Sequence, residues 1–117
     1  MGSNKPLVDK QLIINLLYGD EEYLKEFTDA SVESFTEFNS HFSEALSERD
    51  EEQLRRAGHK IKPVAQMMNL HKILEMYDTS KDYIENLAED EKINQLIDEM
   101  DSYCNTLLEE LKKLSKA

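Results

Sequence analysis

The chain has 117 residues, with 14 Lys and Arg against 25 Asp and Glu, which gives a formal net charge of −11. This length suits one domain with a single core, and the presence of one Cys excludes both an internal disulfide and a Cys-based zinc site. The acidic balance disfavours nucleic acid and membrane surfaces as partners. Because no apolar stretch has the length of a signal peptide or a membrane span, the sequence predicts a soluble, cytoplasmic protein.

Apolar residues recur every three or four positions, which predicts helices throughout. Only three Gly residues are present and no Asn-Gly or Asp-Gly pair, so tight hairpins are disfavoured. The first helix is predicted from about Asp9 to Leu17 and stops at Gly19. Asp20 then caps a second helix that reaches about Leu46.

Three further helices follow from the same spacing and from their end signals. A third begins after its predicted N-cap, Asp50, and ends at Asn69, which tolerates the left-handed conformation. A fourth runs from Leu70 to about Leu87. The last spans about Glu91 to Leu114 and has the most regular apolar stripe of the chain.

Four long helices with short connections, preceded by a short one, predict an all-α fold: an antiparallel up-down-up-down four-helix bundle. Residues 7–117 would form this single domain, whereas residues 1–6 are expected to be disordered or a tag remnant. No Glu-x-x-His pair, Gly-rich phosphate loop or nucleophile elbow is present. We therefore predict no metal and no cofactor. Cys104 falls on the apolar stripe of the last helix and is interpreted as a buried hydrophobe.

Charge is distributed unevenly along the chain. Residues 53–74 contain five basic residues and no acidic one, whereas the other 95 residues carry 9 basic and 25 acidic residues, a net charge of −16. The five cations are Arg55, Arg56, Lys60, Lys62 and Lys72. They surround His59, so the most basic part of the chain includes a histidine.

His59 is predicted to point into solvent. At 100° per residue it lies about 160° around the third helix from Ile61, an inward position. Arg55, Lys62 and Gln66 share its outer face. A neutral imidazole is nucleophilic near pH 7 because its unperturbed pKa is about 6.5, and the two cations could partly neutralise a phosphoryl group placed on it. These residues alone leave open an exposed histidine in an ordinary basic patch.

The third helix carries the run Gly58-His59-Lys60-Ile61-Lys62-Pro63, followed by Asn69 and Leu70. This run resembles the Ala-His-x-Leu-Lys-Gly motif of histidine-containing phosphotransfer (HPt) domains, which act in bacterial and fungal two-component phosphorelays. Residues 17–24 are similar to the family's segment between its leading helix and the bundle. The resemblance covers nearly the whole chain, including the short leading helix and the four-helix bundle.

The resemblance implies that His59 accepts the phosphoryl group, usually on its outer ring nitrogen, and that Lys62 helps to hold it. It also implies receiver domains as donor and acceptor, which supply the phosphoaspartate and Mg²⁺. The chain would then be a monomeric relay intermediate without kinase activity of its own, and not an enzyme. We interpret the other exposed residues of the basic stretch as a docking surface for an acidic receiver. These residues are Arg55, Arg56, Lys60, Gln66 and Lys72.

Three residues depart from the family motif. Gly58 replaces Ala, Pro63 stands where a small residue is usual, and Asn69 replaces Gly. An interior proline removes a helix hydrogen bond at a cost of about 3 kcal/mol, so we hypothesise that Pro63 and Gly58 bend or loosen the helix around His59. Alternatively, Pro63 starts a new helical segment.

Two other functions remain as alternatives. The first is a helical docking module that binds a receiver or another acidic partner without accepting phosphate. The second is a nucleic-acid-binding bundle, which the acidic balance and the lack of aromatic residues among the five cations disfavour.

Overall fold

The computed structural model describes residues 6–116, which form helices and no strand. The helices are α1 (Lys10–Leu16), α2 (Glu21–Glu48), α3 (Glu51–Met67), α4 (His71–Glu85) and α5 (Asp90–Lys116). The predicted all-α class and the five predicted helices are therefore confirmed. Residues 1–6 are the predicted disordered end or tag remnant. Of these, Pro6 is exposed and outside any helix, and residues 1–5 lie outside the described part of the chain.

Aspartate side chains cap the first three helices. Asp9, Asp20 and Asp50 each accept first-turn backbone N–H groups at 3.0 to 3.1 Å. Each such cap stabilises a helix by about 1 kcal/mol because it satisfies donors that have no partner within the helix. Asn69 has φ 57° and follows the end of α3, as its residue type predicts.

The four long helices contact one another in a closed cycle, in which α2 and α4 each pack against both α3 and α5. Such a cycle is compatible with a four-helix bundle preceded by a short helix. Phe38 and Phe42 of α2 meet in the core with ring centroids 5.6 Å apart. Cys104 is fully buried, as predicted. Ile61 is buried, as its inward position predicts, together with the other residues at this spacing on and at the end of α3: Leu54, Ala57, Ala65 and Met68.

Two leucines are exposed although their spacing continues the apolar side of a helix. Leu87, which continues the apolar spacing of α4, is 81% exposed and has φ 53°. The helix ends at Glu85, and the N–H of Ala88 turns back to donate to the carbonyl of Tyr83 at 2.9 Å. This closing turn carries Leu87 away from the core. Leu16, in the last turn of α1, is 42% exposed.

The segment before α1 is attached to α5 by one carboxylate. Glu110 accepts hydrogen bonds from the backbone N–H groups of Leu7, at 3.1 Å, and Val8, at 2.8 Å. Val8 is buried. The entry into the short first helix is thus fixed against the last helix.

Candidate functional site

His59 lies in the middle of α3, and the buried stripe of that helix determines where its side chain points. Ala57 and Ile61 face the core, so His59 between them is exposed. Lys62 and Gln66 are exposed on the same face, as is Arg55 one turn before the histidine. The predicted outer face of α3 is therefore confirmed.

The cations of the basic stretch differ in their surroundings. Lys72 pairs with Glu99 of α5 at 3.1 Å, and Arg56 approaches Glu52 at 3.8 Å. Among residues 6–116, Arg55, Lys60 and Lys62 form no ion pair. Of these five cations, the ones near His59 therefore belong to its own helix, whereas Lys72 is directed towards α5.

A groove of about 430 Å³ runs beside His59 on the side of α2. Its lining consists of His41, Gln53, Arg56, Ala57, His59 and Lys60. His41 comes from α2, so the fold brings together two histidines that are 18 positions apart in the sequence. No group of three His, Cys, Asp or Glu side chains in the described part of the chain could hold a metal ion.

On the opposite side of His59, α4 approaches α3 through Gly58. The ring of Tyr77 occupies the space that a β-carbon at Gly58 would take. Tyr77 continues the apolar spacing of α4 and is 6% exposed, so its ring belongs to the core. The signal that could have indicated this contact is the glycine itself, since Gly within a helix costs about 0.5–1 kcal/mol relative to Ala.

Burial and two nearby charges shift the pKa of Tyr77, and only one of the three acts downwards. Burial raises the pKa of Tyr77, Asp78 raises it further, and Arg55 of α3 lowers it. The Lys81 ammonium lies 5.0 Å from the centre of the Tyr77 ring and 3.7 Å from the Asp78 carboxylate. This flank of the site is thus an aromatic ring with cations from two helices.

Pro63 is an exposed residue inside α3, which continues from Glu51 to Met67 without interruption. It does not start a new helix. Because proline has no N–H, the carbonyl of His59 lacks the donor that a residue four positions later would supply.

No family model, curated protein or solved structure matches the chain. Within the described residues, no helix combines the length and apolar character needed to cross a membrane.

Proposed function

We propose that this protein is an HPt-like phosphorelay intermediate that accepts a phosphoryl group on His59. The observation that supports the proposal most is the exposed His59 with Lys62 one turn further along the same face of α3. The proposal includes an antiparallel up-down-up-down bundle of residues 7–117, a cytoplasmic location and no autonomous kinase activity.

The transfer needs positioning and charge compensation more than a separate base. The lone pair of the unprotonated ring nitrogen of His59 forms the N–P bond, while the proton on the other ring nitrogen stays in place. The P–O bond of the receiver's aspartyl phosphate breaks, and its electron pair returns to the carboxylate. Lys62, which forms no ion pair within residues 6–116, is available to interact with the added negative charge.

The receiver would dock on the outer face of α3. Arg55, Lys60 and Gln66 surround His59, are exposed, and match an acidic receiver surface. Arg56 lines the same groove as His59 and Lys60. Lys72 lies at the edge of this docking surface, and its charge is offset by its ion pair with Glu99. The receiver would also supply Mg²⁺.

The test is transfer of label from phosphorylated receiver domains to the purified protein. We expect wild type to acquire acid-labile, base-stable label and His59→Gln to acquire none. The matched control is His41→Gln, which removes the other histidine of the groove and should leave transfer intact. Equal labelling of wild type and His59→Gln would exclude His59 as the acceptor. Tight receiver binding without any transfer would favour the docking-module alternative.

A further inference from the structure

The hydroxyl group of Tyr77 has no partner in the protein, although its ring is packed between helices. No residue in the range 6–116 forms a hydrogen bond with it, and Asn39 Oδ1 is the one side-chain polar atom in that range that is both buried and unpaired. The hydroxyl therefore keeps access to solvent. A buried ring with an accessible hydroxyl is a hydrogen-bonding group held in a fixed position.

The contact with Gly58 places this hydroxyl one residue from His59 along α3. The Tyr77 ring lies where a β-carbon of Gly58 would be, and its hydroxyl is among the atoms nearest to that point. On a helix, residues three before and four after Gly58 are its neighbours on the same side, and these are Arg55 and Lys62. His59 is the next residue. Leu54 and Ile61, its neighbours on the other side, are buried. The hydroxyl therefore lies at the boundary between the core side of α3 and the exposed face that carries Arg55, His59 and Lys62.

The chemistry of the group suits an anion. A protonated phenol is a donor, and tyrosine is protonated at neutral pH because its ordinary pKa is about 10; burial raises the pKa of Tyr77 further. The ring is confined by Gly58 and is 6% exposed, so little side-chain entropy remains to be lost when the hydroxyl binds a ligand. A fixed donor beside a cation, here Arg55, whose charge acts on Tyr77, is an arrangement that binds phosphoryl oxygens.

We propose that the Tyr77 hydroxyl donates a hydrogen bond to a phosphoryl oxygen carried by His59, so that α4 contributes a phosphoryl-binding residue to the site. This inference rests on the proposed function. The inference also gives a reason for glycine at position 58, where the family motif has alanine. Without a β-carbon at this position, the phenol of Tyr77 can approach the site from α4. Lys62 and Arg55 add charge, and Tyr77 adds a neutral donor with a fixed direction.

The test uses His59 phosphorylated without a receiver, in a His41→Gln/His71→Gln background where His59 is the remaining histidine. Phosphoramidate serves as donor: its P–N bond breaks, ammonia leaves, and the N–P bond to the imidazole forms. The pKa of the phosphoryl group is then measured by a ³¹P NMR titration. A hydrogen bond favours the dianion over the monoanion, so Tyr77→Phe should raise this pKa by about half a unit to one unit.

Tyr83→Phe is the matched control, because Tyr83 is another tyrosine of α4 and is partly buried. It should leave the phosphoryl pKa within about 0.2 units of the parent value, a shift too small for loss of a charge-assisted hydrogen bond. Equal phosphoryl pKa values in folded Tyr77→Phe and the parent protein would overturn the inference.

A second measurement needs no substitution at Tyr77. With ¹³C-labelled tyrosine, phosphorylation of His59 should shift the Cζ signal of Tyr77 and leave those of Tyr83 and Tyr103 in place. An unmoved Tyr77 signal would overturn the inference even if Tyr77→Phe did not fold. A moved signal together with no transfer from any receiver would instead contradict the relay function, and transfer without a moved signal would contradict the role of Tyr77 alone.

Discussion

The guanidinium of Arg49 donates a 2.6 Å hydrogen bond to the backbone carbonyl of Ala88, which connects the corner between α2 and α3 to the corner between α4 and α5. Arg49 follows the end of α2 and has φ 56°. The same guanidinium also lies 3.0 Å from the Asp90 carboxylate. Two connections that are about 40 positions apart are thus joined by one side chain. This contact lies at an end of the helices, away from the exposed face of α3.

Removal of this contact should destabilise the fold. We expect Arg49→Met to lower the free energy of unfolding by about 1–2 kcal/mol, because a partly buried carbonyl loses a charged donor. Urea unfolding followed by circular dichroism measures the change. Arg56→Met is the control, since its exposed pair with Glu52 at 3.8 Å should contribute less than about 0.5 kcal/mol. Equal effects of the two substitutions would contradict the prediction.

Gly58→Ala should also destabilise the protein, by about 1–3 kcal/mol, because the added methyl group overlaps the Tyr77 ring. The intrinsic helix preference of Ala acts in the opposite direction by about 0.5–1 kcal/mol. Thermal and urea unfolding give the net sign. Combining Gly58→Ala with Tyr77→Leu should recover part of the loss, since the ring is then absent. A Gly58→Ala protein more stable than wild type would show that the ring does not need this space.

Pro63→Ala should stabilise α3 by about 1–2 kcal/mol. The new N–H can donate to the carbonyl of His59, although the unfolded chain also gains freedom when proline is removed. Amide hydrogen exchange should become slower around His59 if Pro63 loosens the helix there. Gln66→Ala is the exposed control one turn further along. Unchanged exchange in Pro63→Ala would exclude the loosening hypothesis.

Lys62 and Lys72 should differ in their effect on phosphotransfer. Lys62→Gln should slow transfer from a receiver to His59 about tenfold, because a charged donor to the phosphoryl group is lost. Lys72→Gln should change the rate less than about twofold, since Lys72 pairs with Glu99 of α5 at 3.1 Å. Rapid-quench measurement of the labelled protein gives both rates. If Lys72→Gln slowed transfer more than Lys62→Gln, the receiver would have to dock nearer to α4 and α5 than we propose.

Cys104 should be unreactive in the native protein. Burial raises the pKa of its thiol to about 12, and Asp101 contributes to the shift. Thiolate is the reactive form, so iodoacetamide at pH 8 should modify the native protein far more slowly than the urea-unfolded protein. Equal modification rates would contradict burial of this residue.

The same shift predicts alkaline sensitivity. The folded pKa lies above the ordinary value of 9.0, so ionisation of Cys104 opposes folding, and stability should fall as the pH rises from 9 towards about 12. Below pH 9 the group should have no effect. Cys104→Ala should therefore lose less free energy of unfolding between pH 9 and pH 11 than wild type. Tyr103, whose pKa burial raises to about 12, and Tyr77, whose pKa burial also raises, add to the alkaline pH dependence in both proteins.

The sequence by itself determined the features that depend on neighbours along the chain. Asp20 and Asp50 predicted where helices begin, and Asn69 predicted where α3 ends, because capping involves residues within one turn. The outward direction of His59 followed from the burial of Ile61 on the same helix, since both positions are set by one helical period. The exposure of Leu87 does not follow from its spacing, because the spacing continues α4 beyond the left-handed turn that ends the helix.

Only the tertiary structure decided which residues of different helices meet. It joined Arg49 to Ala88, brought His41 into the groove beside His59, and placed the Tyr77 ring against Gly58. Such contacts depend on the separation and rotation of packed helices, which many weak core interactions determine together. The periodicity of one helix does not contain that information. For this reason the exposed face of α3 could be predicted from that helix alone, whereas the contact of Tyr77 with Gly58 could not.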